Sequence, residues 1–98
     1  MKTVGVGRQV LPFISPGTPL TVTIGVASAA TTGPVGASVI ELVSTVACYI
    51  AIGANPTATS STGYLAANVP VFYVVDPTSY VAALQVSAGG TLFVIPAA

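Results

Sequence analysis

The chain has 98 residues, room for one domain only. It is 53% hydrophobic and only 4% charged, where a soluble domain averages about 25%. Its two cations, Lys2 and Arg8, cannot form the phosphate-neutralising patch of a nucleic-acid binder. Its two acids, Glu41 and Asp76, with one Cys and no His, cannot make an ordinary zinc site or a Ser-His or Cys-His nucleophile. High hydrophobicity with zero net charge also argues against disorder.

Sixteen Val, twelve Thr and six Ile favour strands, and ten Gly and eight Pro punctuate them. The N-terminus, MKTVGVGRQVLPF, lacks the apolar run of a secretory leader, so none is expected. A ragged first strand is predicted over Thr3–Val6 and Gln9–Ile14, with Gly5 and Gly7 as bends. Gly5-Val6-Gly7 is too short for a dinucleotide fingerprint. Ser15–Pro19 reads as a turn. Leu20–Val26 then alternates: Leu20, Val22, Ile24 and Val26 face inward, and Thr21, Thr23 and Gly25 face outward. Ala27–Gly36 is small and polar and reads as a loop.

Val39–Gly53 is the longest strand-like run. Ile40, Leu42, Val46, Cys48, Ile50 and Ile52 share one parity, interrupted by Ser44. Fifteen residues exceed a usual strand, so a break is predicted near Ser44-Thr45. The window Val35–Ala54 has the length of a membrane-spanning helix. Glu41 inside it, no flanking Lys or Arg, and its β-branched content predict strands instead. Glu41 is expected at an exposed sheet face or paired with Lys2 or Arg8, including those of another subunit. Cys48, among apolar neighbours, is expected to be a buried thiol that does no chemistry.

Asn55–Asn68 reads as a long loop projecting from one end of the sandwich, in which Tyr64 and Leu65 stand out. They either fold back over a sheet edge or form the contact for a partner; they are the candidate interface residues. Three strands follow, Val69–Val75, Tyr80–Ser87 and Thr91–Ile95. Asp76 caps the first connecting turn, and Gly89-Gly90 supplies positive φ to a tight hairpin. They are predicted to form an antiparallel meander. The whole chain, 1–98, is thus predicted to be all-β: one small antiparallel, jelly-roll-like sandwich of seven or eight strands, without helix.

The missing charges carry a functional message. A free monomer ordinarily keeps a charged surface for solubility, so this one is expected to be covered by neighbours. Assembly, not turnover, is the expectation: no catalytic residue, no metal and no cofactor.

The run 46–95 resembles a family of small structural proteins of tailed bacteriophages. The resemblance is carried by Cys48–Gly53 (CYIAIG), Asn55–Ala58 (NPTA), Leu65–Pro70, Phe72–Asp76, Ala82–Ser87 and Gly90–Val94. Members of that family often have an acid in the aromatic strand and a Lys in the following turn, where this chain has Val71 and Ser79-Tyr80. The resemblance implies a β-sandwich on the virion surface. There a capsid decoration (cement) protein would bind the major capsid protein and itself as a homo-oligomer, without nucleic acid or membrane. A neck or tail component is the runner-up. A host-glycan-binding module is a third reading, poorly served by the lack of Trp.

Overall fold

The computed structural model describes residues 19–97. The predicted first strand and the Gly5-Val6-Gly7 motif lie outside them, as do Lys2 and Arg8. Eight strands follow in order: β1 (Leu20–Ile24), β2 (Ala29–Ala30), β3 (Val39–Ser44), β4 (Cys48–Gly53), β5 (Gly63–Leu65), β6 (Val71–Val74), β7 (Tyr80–Gln85) and β8 (Gly90–Pro96). They form two four-stranded antiparallel sheets. Sheet A has the order β1-β8-β3-β6 and sheet B the order β2-β7-β4-β5. β1 pairs with β8, β2 with β7, β3 with β6 and β4 with β5, and β3·β8 and β4·β7 contacts complete the sheets. A long ribbon folded in half and rolled up has these pairings; it is the eight-stranded jelly roll. The all-β, antiparallel sandwich expected from the sequence is therefore present, with no helix among the described residues.

The inner faces follow the predicted parity. Ile40 and Leu42 of β3, Cys48 and Ile50 of β4, Val22 and Ile24 of β1, and Leu92 and Val94 of β8 meet between the sheets. Burying such a side chain stabilises the fold by about 1.5–3 kcal/mol. Ser44 breaks the apolar pattern but is buried too. Its hydroxyl donates to the Val46 carbonyl at 2.7 Å, which removes the penalty of an unpaired buried hydroxyl. This bond lies at the predicted break, where Thr45-Val46-Ala47 carries the chain from sheet A to sheet B. Val35–Ala54 thus holds β3 and β4. No helix among the described residues is long and apolar enough to cross a membrane.

Five expectations need correction. Val26 is not inward: β1 stops at Ile24, the chain turns towards sheet B, and Val26 is 85% exposed. The Ala27–Gly36 loop contains β2 and then runs along β7, with Thr31 N donating to Val81 O at 2.9 Å and Val35 N to Ser79 O at 2.8 Å. It covers that edge of sheet B.

The meander is absent. β6 and β8 belong to sheet A, whereas β7 between them belongs to sheet B. Turn chemistry marks a reversal of direction but not whether the chain returns beside itself or steps about 10 Å to the facing sheet. Gly89 and Gly90 are also used differently from the prediction. Among the described residues positive φ occurs at Gly36 (φ 70) and Asn68 (φ 60). At Gly89 a Cβ would lie 2.8 Å from the Ile24 carbonyl oxygen, and at Gly90 it would collide with the Thr45 hydroxyl and the Val46 side chain. The neighbouring β1 backbone at Gly89, and the Thr45 and Val46 side chains at Gly90, leave no room for a Cβ and so require glycine there.

The Asn55–Asn68 segment does not project from one end. It leaves β4 at Gly53, and Ala58 N donates to Ser28 Oγ at 2.9 Å, beyond β7 on the far side of sheet B. Ala58 and the outward-facing Ala82 of β7 are both buried. The loop therefore lies across the outer face of sheet B. It turns at Thr59–Thr62, where Thr62 Oγ1 donates to Thr59 O at 2.8 Å, and returns as β5.

Candidate functional site

Among the described residues, no segment lies over the outer face of sheet A. Its outward residues follow from the register. Phe72 and Val74 of β6 stand beside Glu41 and Val39 of β3; Ile95 and Phe93 of β8 stand beside Glu41 and Val43 on the other side. Phe72 is 56% exposed and Val74 85%, and Phe93 is also exposed. Thr21 and Thr23 of β1 complete the row next to β8. The result is an apolar face with one carboxylate, Glu41, near its centre, flanked directly by Phe72 and Ile95. Glu41 is half-buried at this sheet face. All the cations of the chain lie outside the described residues.

Of the two residues singled out from the sequence, the structure exposes one. Tyr64 is 59% exposed and packs edge-on against Tyr49, with ring centroids 6.3 Å apart. Leu65 is 1% exposed and opposes Cys48 inside the sandwich. Alternation along β5 forces this split: adjacent residues point to opposite faces. The exposed Tyr-Leu pair expected from the sequence is thus corrected to a surface tyrosine beside a core leucine.

Phe72, Val74 and Phe93 were not singled out by the sequence reading, although a signal was present. Val71–Val75 reads VFYVV, apolar on both parities, and a strand with one solvated face alternates instead. Beside β6, Ile50, Ala51, Ile52, Thr62, Gly63 and Tyr73 line a shallow open depression of about 360 Å³ between the sheets.

The other polar candidates have structural roles. Asp76 Oδ1 accepts from Thr78 N at 2.9 Å and from Thr78 Oγ1 at 2.8 Å, closing the turn as the sequence predicts. These bonds hold its carboxyl below the usual range. Among the described residues no three of His, Cys, Asp and Glu come together to hold a metal ion.

Cys48 is fully buried in the core. Burial pushes its thiol up from the ordinary value, and a hydrogen bond with Ser44 offsets part of this. A thiol reagent is expected to label the native protein only as fast as it unfolds; rapid labelling would contradict the buried placement. Cys48→Ala is expected to cost about 1 kcal/mol or somewhat more. Because the folded value is raised, the neutral thiol contributes stability at neutral pH that is lost as pH rises through the folded value, above 9.0. Alkaline melts of the wild type and Cys48→Ala should therefore converge.

Protein-family models, curated proteins and solved structures were all compared with the chain, and none matches it. The phage-protein resemblance thus stands on the residues quoted for 46–95.

Proposed function

We propose that the chain is a non-enzymatic virion structural protein, a capsid decoration protein that binds the major capsid protein shell as a homo-oligomer and stabilises it. The observation that carries this reading is the open outer face of sheet A. It is a strand-built surface of Phe72, Val74, Phe93, Ile95, Val39 and Val43 around a single carboxylate. A contiguous exposed apolar patch on a small domain marks an interaction site. The resemblance over 46–95 supplies the virion, and the jelly roll is an architecture shared by capsid and lectin domains, a likeness of fold only.

The reading is tested by quantifying the protein in purified particles. A copy number comparable with that of the shell protein is expected. A count matching a single vertex would move the protein to the neck or tail. Absence from the particles would end the virion reading.

A further inference from the structure

We propose that β6 is a self-pairing edge: β6 of one copy binds β6 of a second copy antiparallel across a two-fold axis through Tyr73, joining the two A sheets into one eight-stranded sheet. This deepens the homo-oligomer part of the proposed function and does not depend on the shell.

The four sheet edges differ. The β2 edge continues into the segment that runs along β7, and β5 is three residues long. β1 carries the polar Thr21 and Thr23 on its outer face. β6 carries Phe72 and Val74, both strongly exposed, and has a neighbour on one side only among the described residues. β6 itself, VFYV, carries no charge, and its register with β3 runs without a bulge, so it lacks two devices with which proteins ordinarily blunt an exposed edge.

The hydrogen bonding sets the register. Val75 N donates to Ser38 O at 2.8 Å, so the odd-numbered residues of this strand direct their backbone groups at β3. The N–H and C=O of Phe72 and Val74 therefore face the open edge. With the axis through Tyr73, Phe72 opposes Val74 of the second copy and the reciprocal pair forms by symmetry. Each pair exchanges two backbone hydrogen bonds, and its side chains lie together on the outer face. An axis at Phe72 would set Val74 opposite Pro70, which has no N–H, and an axis at Val74 would set Phe72 opposite the Asp76 carboxylate. The Tyr73-centred register keeps both out of the ladder. No like charges meet in it, and the interface is isologous, as a closed dimer requires.

The test uses the full-length purified chain without particles. Sedimentation of the wild type should show a dimer. Val74→Lys should be a folded monomer with the wild-type far-UV spectrum, since Val74 is 85% exposed and outside the core; its melting temperature should equal that of the wild type diluted until it dissociates. Tyr73→Cys should form a covalent dimer under mild oxidation. In a non-hydrogen-bonded antiparallel pair the Cα atoms lie about 4.5 Å apart, within disulfide reach. Phe72→Cys, whose symmetry mate is offset along the strand, should not. A monomeric wild type overturns the proposal. So does a Val74→Lys dimer, or a Tyr73→Cys chain that does not cross-link. A wild type that binds particles as a monomer overturns this inference and leaves the proposed function standing; a β6 dimer that ignores particles does the reverse.

Discussion

Leu65→Ala is expected to lower the unfolding free energy by about 2–5 kcal/mol, while Tyr64→Ala, one residue away, costs about 0.5–1.5 kcal/mol. Leu65 is 1% exposed and packed in the cluster with Cys48 and Ile50, so truncation removes apolar contact and leaves a void between the sheets. Tyr64 is mostly in water and gives up only its edge-on contact with Tyr49. A domain of this size is stable by about 5–15 kcal/mol, so the upper end of the Leu65 range approaches global unfolding. Urea titrations of the two variants give the comparison, with the slope checked so that a change in the denatured state is not mistaken for lost stability. Equally small losses would mean that Leu65 is not part of the core. The same pair separates folding from function. Tyr64→Ala that folds normally but decorates particles weakly would make Tyr64 a contact residue. Unchanged decoration would make it structural.

Attachment to the particle and self-association are expected to survive 1 M NaCl and to fail in urea or guanidinium. Raising salt from 0.1 to 1 M shortens the Debye length from about 10 Å to about 3 Å, which weakens any interface held by exposed ion pairs. Here the open face of sheet A offers one carboxylate among at least six apolar side chains, so there is little to screen. Apolar burial responds in the opposite sense to excluded salts such as sulfate, which strengthen it, whereas chaotropes solvate both side chains and peptide groups. The measurement is the fraction of protein released from washed particles across a NaCl series, beside a sulfate and a urea series. Release that climbs steeply with NaCl would show that Lys2, Arg8, Glu41 and Asp76 dominate the contact, and the apolar-assembly reading would fail.

What the sequence discloses is local. The parity of Ile40, Leu42, Cys48 and Ile50 names the core because side-chain period two is a property of each strand by itself. The corner at Ser44-Thr45 and the turn at Asp76 are legible for the same reason: a strand too long for the domain, and a carboxylate set to cap the next turn. Which sheet a strand joins is not local. β6, β7 and β8 follow each other closely, yet β8 pairs with β1 and β3. The choice is made by the whole set of apolar faces at once. β5 is hidden because three residues in a polar loop have no period to detect. The loop over sheet B is hidden because a backbone bond from Ala58 to the Ser28 hydroxyl has no compositional signature. The open apolar face had a signature in VFYVV. Reading it required knowing that nothing else among the described residues lies on that side.

The rolled ribbon also sets the order in which the molecule becomes stable. Of the four pairings along it, only β4 with β5 joins strands adjacent in sequence; β1 must find β8, with Leu20 opposite Val94. Most contacts are therefore distant in sequence, a topology that folds slowly because loop closure precedes its reward. On a ribosome, β3, the centre of sheet A, would emerge without either of its partners, since β6 and β8 are made later. Until then a Val- and Ile-rich chain almost without charge stays open to pairing with other copies. The scarcity of charge from which an assembling role is proposed also makes synthesis the stage most exposed to aggregation.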